Sequence, residues 1–373
     1  EVYYTKIDKD LDSKWKEILE NKEIAKIGID LSKTYILLKQ QNITIKGISY
    51  DISIASYVLD PNHNKLDIEN LAENYLDINV KEILDEEEST NQEQINLFDT
   101  VEENKEDKVK KYTLYAYIIS KIKDITEKKL EEINGIELFQ NIDMPTVEVL
   151  ANMQWNGMHI EENKLVEFGK TLKDGIDLLT SEIYSLAGEE FNINSPKQLG
   201  VILFEKLNLP SKKKTKNGYS TSEDVLEKLI NEHPIIEKIL EYRKLCKLNS
   251  TYVEGMRPYI NPKTNRIHSF FHQTITATGR ISSTEPNLQN IPTRMELGKR
   301  LRKVFVPDEG KVYIDADYSQ IELRVLAHMS KDKHMIEAFV NGEDIHKQAA
   351  SKVLHKPIEE VTKEERSSAK AVN

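Results

Sequence analysis

The sequence predicts a multidomain α/β protein, on three observations. Its 373 residues, at roughly 150 per domain, make two or three domains. Residues 24–80 mix short strand-like runs with short helical ones. From residue 142 the texture changes to long amphipathic helices.

Residues 1–135 read as a small α/β unit. Segments 24–30 and 35–39 are predicted as short strands, and 43–48 alternates with period two. Segments 51–59 and 66–75 are helical, the first stopped by Asp60 and Pro61. Residues 85–110 are polar, acidic and of low complexity, and predict a mobile loop. A helix over 112–130 resumes, and a boundary falls near 131–135.

Residues 136–373 are mostly helical. Helices are predicted over 144–156, ended by Gly157, and over 161–186, ended by Gly188. Ser195 followed by Pro196 caps and opens a helix to about residue 207. Segments 222–231 and 235–252 complete a helical block. Residues 267–276 turn β-like and 311–316 is a predicted strand. Helices follow over 321–329, 335–341 and 345–354. Thr362 with Glu365 is a capping box that opens a last helix near Lys363. That helix has no stop signal before Asn373 and the chain has no initiator Met, so it reads as a piece of something longer.

Composition narrows the function classes. No run approaches the roughly 18 apolar residues of a membrane span. The charged start, residues 1–15, lacks the apolar stretch of a signal peptide. One cysteine, Cys246, excludes an internal disulfide and a thiolate metal cluster, and predicts a reduced, cytoplasmic setting. The net charge of −11 is unevenly spread. Residues 1–140 hold 30 acids against 19 Lys and Arg, whereas 241–304 hold 12 Lys and Arg against four Glu. A second basic run is Lys212, Lys213, Lys214 and Lys216. A basic stretch behind an acidic front fits either a polyanion-binding face or an ordinary solvated surface.

The chemistry concentrates in three segments. Residues 312–324 (VYIDADYSQIELR) bring Asp315 and Asp317 to the end of a β-rich run, two apart and so on one face of a strand. Such acids suit a hard divalent cation such as Mg²⁺, or they cap the following helix. Residues 276–292 (TATGRISSTEPNLQNIP) are rich in amide and hydroxyl side chains that could reach phosphates or base edges, or form a long polar loop. Arg366 and Lys370 share a helical face, about 6 Å apart along the axis. A docked polyphosphate would offset their repulsion; a solvated face is the plainer alternative.

The order of these motifs resembles DNA polymerase family A, the bacterial DNA polymerase I type. DYSQIELR (317–324) is similar to the family's first polymerase motif and 276–292 to its template-primer motif. RSSAKAVN (366–373) is similar to the start of its nucleotide-binding fingers helix. EVLANMQWNG (148–157), NINSPKQL (192–199), STS (220–222) and KLNSTY (247–252) add further matches. The resemblance is close over 137–373 and looser over 1–130.

It implies a ribonuclease H-like, exonuclease-type domain (1–135, with the acidic insertion 85–110) followed by part of a right-hand polymerase module (136–373). Within the latter it implies a thumb over about 160–258, a palm over 259–321 and the start of the fingers over 322–373. The implied activity is template-directed transfer of dNTPs to a primer 3′-hydroxyl, with two Mg²⁺ ions as cofactor. It serves DNA replication and repair in a monomeric protein of the bacterial cytoplasm and nucleoid. Asp317 and the Tyr318 carbonyl are the implied metal ligands. Gln320, Glu322, His346, Arg366 and Lys370 are the implied dNTP contacts. Arg280, Asn287, Gln289, Asn290 and Arg294 match contacts near the primer terminus and template. Asn194, Ser220, Thr221, Arg243, Lys247 and Ser250 match thumb contacts to the duplex backbone.

Two departures qualify the resemblance. The family's later His-Asp-Glu motif, which supplies the second metal acid, is not in these residues, so this segment alone is expected not to polymerise. Residues 1–130 also lack the exonuclease acids: 27–32 carries only Asp30, and Asp51 alone matches. That domain therefore reads as vestigial, with Asp51 a helix cap. The competing readings are a non-catalytic DNA-binding module and, less favoured by these acids, an active 3′→5′ exonuclease.

Overall fold

The computed structural model describes residues 4–5, 13–63, 65–88, 105–210, 214–215, 218–293 and 296–369. They form two compact units, residues 1–309 and 310–373.

The first unit begins with α1 (Ser13–Glu20), β1 (Lys26–Gly28), α2 (Leu31–Gln40), β2 (Ile48–Asp51), α3 (Ile52–Leu59), α4 (Ile68–Leu76), α5 (Val80–Glu88) and α6 (Lys105–Glu132). The strands β1 and β2 pair in parallel. Three of the expected elements need correction. Residues 35–39 are not a strand but the middle of α2. Asp30 caps that helix by accepting from Lys33 N, and Leu31, Tyr35 and Leu38 recur at helical spacing and are buried. The alternation at 43–48 is real as burial, with Ile43 and Ile45 inside, but ladder pairing starts only at Ile48. The expected loop at 85–110 is helical at both ends, in α5 and α6; its centre, 89–104, lies outside the described residues. The helix expected over 51–59 is α3, and the one over 112–130 lies within α6.

A short turn, α7 (Ile136–Leu138), leads to α8 (Met144–Asn156), β3 (Met158–His159) and α9 (Glu162–Ala187). Gly157 and Gly188 terminate α8 and α9 with positive φ. Next come α10 (Pro196–Val201), β4 (Lys214–Thr215), β5 (Gly218–Tyr219), α11 (Glu223–Glu227) and α12 (Pro234–Leu248). Ser195 caps α10 by accepting from Gln198 N. The rest of this unit is β6 (Ile260–Asn261), β7 (Arg266–Ile267), β8 (Phe270–His272), β9 (Ser282–Thr284) and α13 (Glu296–Arg302). A small sheet runs β3-β7-β6, and β8 with β9 form an antiparallel hairpin. One core gathers side chains from α3, α4, α6 and α8; a second gathers Leu165, Leu172, Ile183, Ile239, Leu245 and their neighbours between α9 and α12. A small cluster of Tyr35, Leu38, Ile43, Ile45 and Ala151 joins α2 to α8.

The second unit holds α14 (Ile321–Ser330), α15 (Lys333–Val340), α16 (Ile345–Leu354) and α17 (Lys363–Ala369). The capping box is present at α17: Thr362 Oγ1 accepts from Glu365 N at 3.2 Å and Glu365 Oε2 accepts from Thr362 N at 2.8 Å. The strand expected over 311–316 does not form. A strand needs a neighbour for its backbone groups, and this segment joins no ladder among the described residues. Val312 and Ile314 are 79% and 87% exposed.

Candidate nucleic-acid and nucleotide interface

The helix α12 presents one face to the core and another to solvent. Tyr242, Leu245 and Leu248 are buried, while Lys244 and Lys247 are exposed. Arg243 sits between, and its guanidinium donates to the carbonyl of Thr221 and, at 3.2 Å, to Thr221 Oγ1. Burial holds the Arg243 pKa below its ordinary value, opposed by the charge of Glu223. Thr221 is 5% exposed, so this pair of expected duplex contacts bind each other and fasten 220–222 to α12. Ser220 is half-buried. Asn194 is exposed and donates to Tyr242 Oη at 3.1 Å. Ser250 is exposed, one turn beyond Lys247.

Beside this face lies a groove of about 910 Å³ lined by Arg243, Lys244, Lys247, Tyr252 and Asn290. Tyr252 Oη donates to the carbonyl of Asn290, which ties the polar segment after β9 to the helical block. The same groove is also lined by Glu223, Glu227, Glu237 and Glu241, the last two on α12 itself. The basic stretch is thus not an uninterrupted positive surface.

The polar motif occupies the tip and the far side of the β8–β9 hairpin. Asn287 Oδ1 accepts from Gln289 N at 3.0 Å and Ser283 Oγ at 3.2 Å, and Gln289 Nε2 donates to the carbonyl of Ile281 at 2.8 Å. Arg280, Asn287, Gln289 and Asn290 are all exposed. The hairpin thus brings four of the five expected terminus contacts to one structured segment. Arg294 lies outside the described residues.

In the second unit, Asp317 is exposed and enters none of the ion pairs among the described residues. Tyr318 is 81% exposed. Gln320 adopts a left-handed conformation (φ 54°) at the start of α14, and its Oε1 is buried without a hydrogen bond. Glu322 is exposed in the first turn of α14. Asp344 caps α16 by accepting from Lys347 N at 3.1 Å and accepts from Arg366 Nε at 2.5 Å. Desolvation pushes the Asp344 carboxyl up, but the Arg366 bond and the helix N–H groups outweigh it and hold it below the usual carboxylate range. Arg366 and His346 therefore stand on helices joined through one carboxylate. Asp344 caps α16 through local donors, but its second partner, Arg366, lies 22 residues on. Lys370 lies outside the described residues.

Among the described residues no group of three or more His, Cys, Asp or Glu is arranged to hold a metal. In the first unit Asp51 is 1% exposed. It accepts from Leu31 N at 2.7 Å, Ser53 N at 2.9 Å and Ser53 Oγ at 2.6 Å. Its oxygens are consumed by backbone and hydroxyl donors, as a helix cap requires. Burial raises its pKa, and those hydrogen bonds only partly offset the shift.

Residues 162–373 match the model of DNA polymerase family A. The chain belongs to DNA polymerase family A. Residues 1–88 match the ribonuclease H-like domain of DNA polymerase I, so the fold is a ribonuclease H-like region followed by part of a family A polymerase module. The chain is 42% identical over 364 residues to DNA polymerase I of Bacillus subtilis (strain 168), covering 96% of this chain and 40% of that protein. It is 40% identical over 369 residues to DNA polymerase I of Geobacillus stearothermophilus, covering 97% and 41%. The POL domain of Pol1 from M. smegmatis, solved in complex with DNA primer-template and dNTP, superimposes with a TM-score of 0.83 at 33% identity, over 96% of this chain and 59% of that one. The family A chain therefore spans about 40% of the length of these curated relatives. Among its described residues no helix is long and apolar enough to cross a membrane.

Proposed function

We propose that this chain is the exonuclease-like and leading polymerase portion of a bacterial DNA-directed DNA polymerase. The reaction is attack of a primer 3′-hydroxyl on the α-phosphate of a dNTP, with pyrophosphate leaving. In this reading 1–135 is a vestigial exonuclease domain, 160–258 the thumb, 259–321 part of the palm and 322–373 the start of the fingers. The observation that carries it is the likeness to a polymerase solved with primer-template and dNTP, in a chain whose motif acid Asp317 is exposed and ion-paired with none of the described residues.

The residues divide by chemistry. Asn194, Ser220, Thr221, Arg243, Lys247 and Ser250 grip or shape the grip on the duplex backbone, a sequence-independent task. Arg280, Asn287, Gln289, Asn290 and Arg294 meet the primer terminus and template. His346, Arg366 and Lys370 neutralise the triphosphate, and Asp344 fixes where Arg366 starts from. Gln320 and Glu322 line the sugar pocket, with Glu322 crowding a ribose 2′-hydroxyl. Divalent cations, Mg²⁺ in this proposal, would neutralise the leaving charge when bound at Asp317 and the Tyr318 carbonyl. One exposed carboxylate does not hold two cations, so these residues do not complete the metal site and the chain alone should not extend primers.

The test is a graft of this chain in place of the matching 364 residues of the B. subtilis enzyme. We expect Mg²⁺-dependent primer extension that falls by about 10³-fold in Asp317→Ala, with duplex affinity retained. Undiminished extension by the Ala variant would remove Asp317 from the chemistry.

A further inference from the structure

The exonuclease-like region touches the polar motif through Tyr57. Tyr57, on α3, is 6% exposed. Its hydroxyl donates to the carbonyl of Thr276 at 2.6 Å and accepts from Gly279 N at 3.1 Å. Those two backbone groups are first and fourth in the turn at the tip of the β8–β9 hairpin. In an ordinary β-turn they bond to each other. Here residues 277–278 form such a turn, and the phenol oxygen bonds both of its closing groups, so a side chain more than 200 residues earlier in the sequence clamps the turn.

The tip is built around that bridge. Gly279 has φ +77°, and nothing lies within 4 Å of where its Cβ would be, so backbone conformation rather than crowding calls for glycine. Thr276 Oγ1 donates to the carbonyl of Arg280 at 2.6 Å, which ties Arg280 to the bridged turn. At the base of the loop Gln273 Nε2 donates to the carbonyl of Asp143 at 3.0 Å. The mount itself is rigid: Ile52, Ile54, Ala55 and Tyr57 of α3 are buried, and Asp51 caps the helix.

We infer that Tyr57 is a positioning residue, through which the exonuclease-like region sets the hairpin tip so that Arg280 meets the end of a primer-template. The inference rests on the reading of 276–292 as the terminus contact. Without the hydroxyl, the turn loses both of its bonds to α3. The tip is then no longer fixed to α3, and the Arg280 backbone that Thr276 ties to it shifts with it.

Four versions of the full chain separate this role from general packing: the parent, Tyr57→Phe, Arg280→Ala and the double variant. Each is titrated, by fluorescence anisotropy, against two DNAs of equal length: a duplex with a recessed 3′ end and a duplex closed by loops at both ends. Tyr57→Phe keeps the ring and removes only the hydroxyl. It should weaken binding to the recessed end by about three- to tenfold, leave the closed duplex unchanged, and add nothing in the Arg280→Ala background. An equal loss on both DNAs, no loss on either, or additive losses in the double variant overturns the role of Tyr57. If Arg280→Ala loses end preference and Tyr57→Phe keeps it, the inference fails and the reading of the motif stands. If Arg280→Ala keeps the parent's end preference, or the parent has none, the reading of the motif fails and takes the inference with it.

Discussion

At the scale of the residue, Asp51 shows how a matching acid can be taken up by helix capping. Its carboxylate joins the starts of two helices, accepting from Leu31 N at the head of α2 and from Ser53 at the head of α3. Asp51→Ala strands buried donors and should cost roughly 3 kcal/mol, measured by urea unfolding. Its pH dependence has an unusual sign. The folded pKa is raised, mainly by burial, so between the ordinary and the raised value the folded state holds a proton that the unfolded state has lost. Stability from this group is therefore greatest below the unfolded pKa, near 4, and declines as pH rises through the folded value. The gap between parent and Asp51→Ala should shrink across that window; a gap that widens with pH refutes the raised pKa. The cap was readable from the Tyr-Asp-Ile-Ser run alone. Tyr57 was not, because its partners are 219 and 222 positions away and nothing local marks a phenol that bridges a distant turn.

At the scale of the element, helix ends were legible and short strands only in part: 24–30 holds β1 and 267–276 holds β8, but 35–39 and 311–316 are not strands. Ser195, Thr362 and the glycines after α8 and α9 carry their stop and start chemistry in their own side chains or lack of one. Gly157 is the strictest case. With φ 60° and ψ −175° it occupies a region essentially reserved for glycine. A Cβ there would also sit 2.6 Å from the carbonyl oxygen of Ile267. Gly157→Ala should therefore lower stability by about 2–4 kcal/mol, read as a fall in the urea midpoint. A midpoint shift within error would show that the α8–β3 turn relaxes freely. Runs of five or six residues do not decide between periods of two and 3.6. Residues 35–39 went into α2 because Asp30 had already started a helix, and 311–316 lacked a neighbour. In the first case a local cap, and in the second the lack of a neighbouring strand, overrode the pattern of the short run. At the candidate site the same limit holds: the side chains were named from motifs, but the Arg243–Thr221 and Asp344–Arg366 pairings that orient them depend on contacts across elements.

At the scale of the molecule, charge is partitioned along the chain: 1–140 holds the whole excess of acids and 141–373 is neutral. If the chain binds a polyanion, its positive field has to be local, and the groove beside α12 supplies it incompletely, because Arg243, Lys244 and Lys247 share that groove with four glutamates. Duplex binding should accordingly weaken linearly in log–log plots against salt, because each neutralised phosphate releases counterions. If Lys247 makes one such contact, Lys247→Ala should reduce the slope by about 0.9. Glu241→Gln should do the reverse of a lost contact. It removes a repulsion, raising affinity at low salt, and the gain should vanish as screening lengths fall below the groove's dimensions. Titrations between about 50 and 300 mM salt decide the matter. Parallel lines for parent and Lys247→Ala would place the duplex on another face of the first unit. Converging lines for Glu241→Gln, with a smaller slope for Lys247→Ala, would place it along α12.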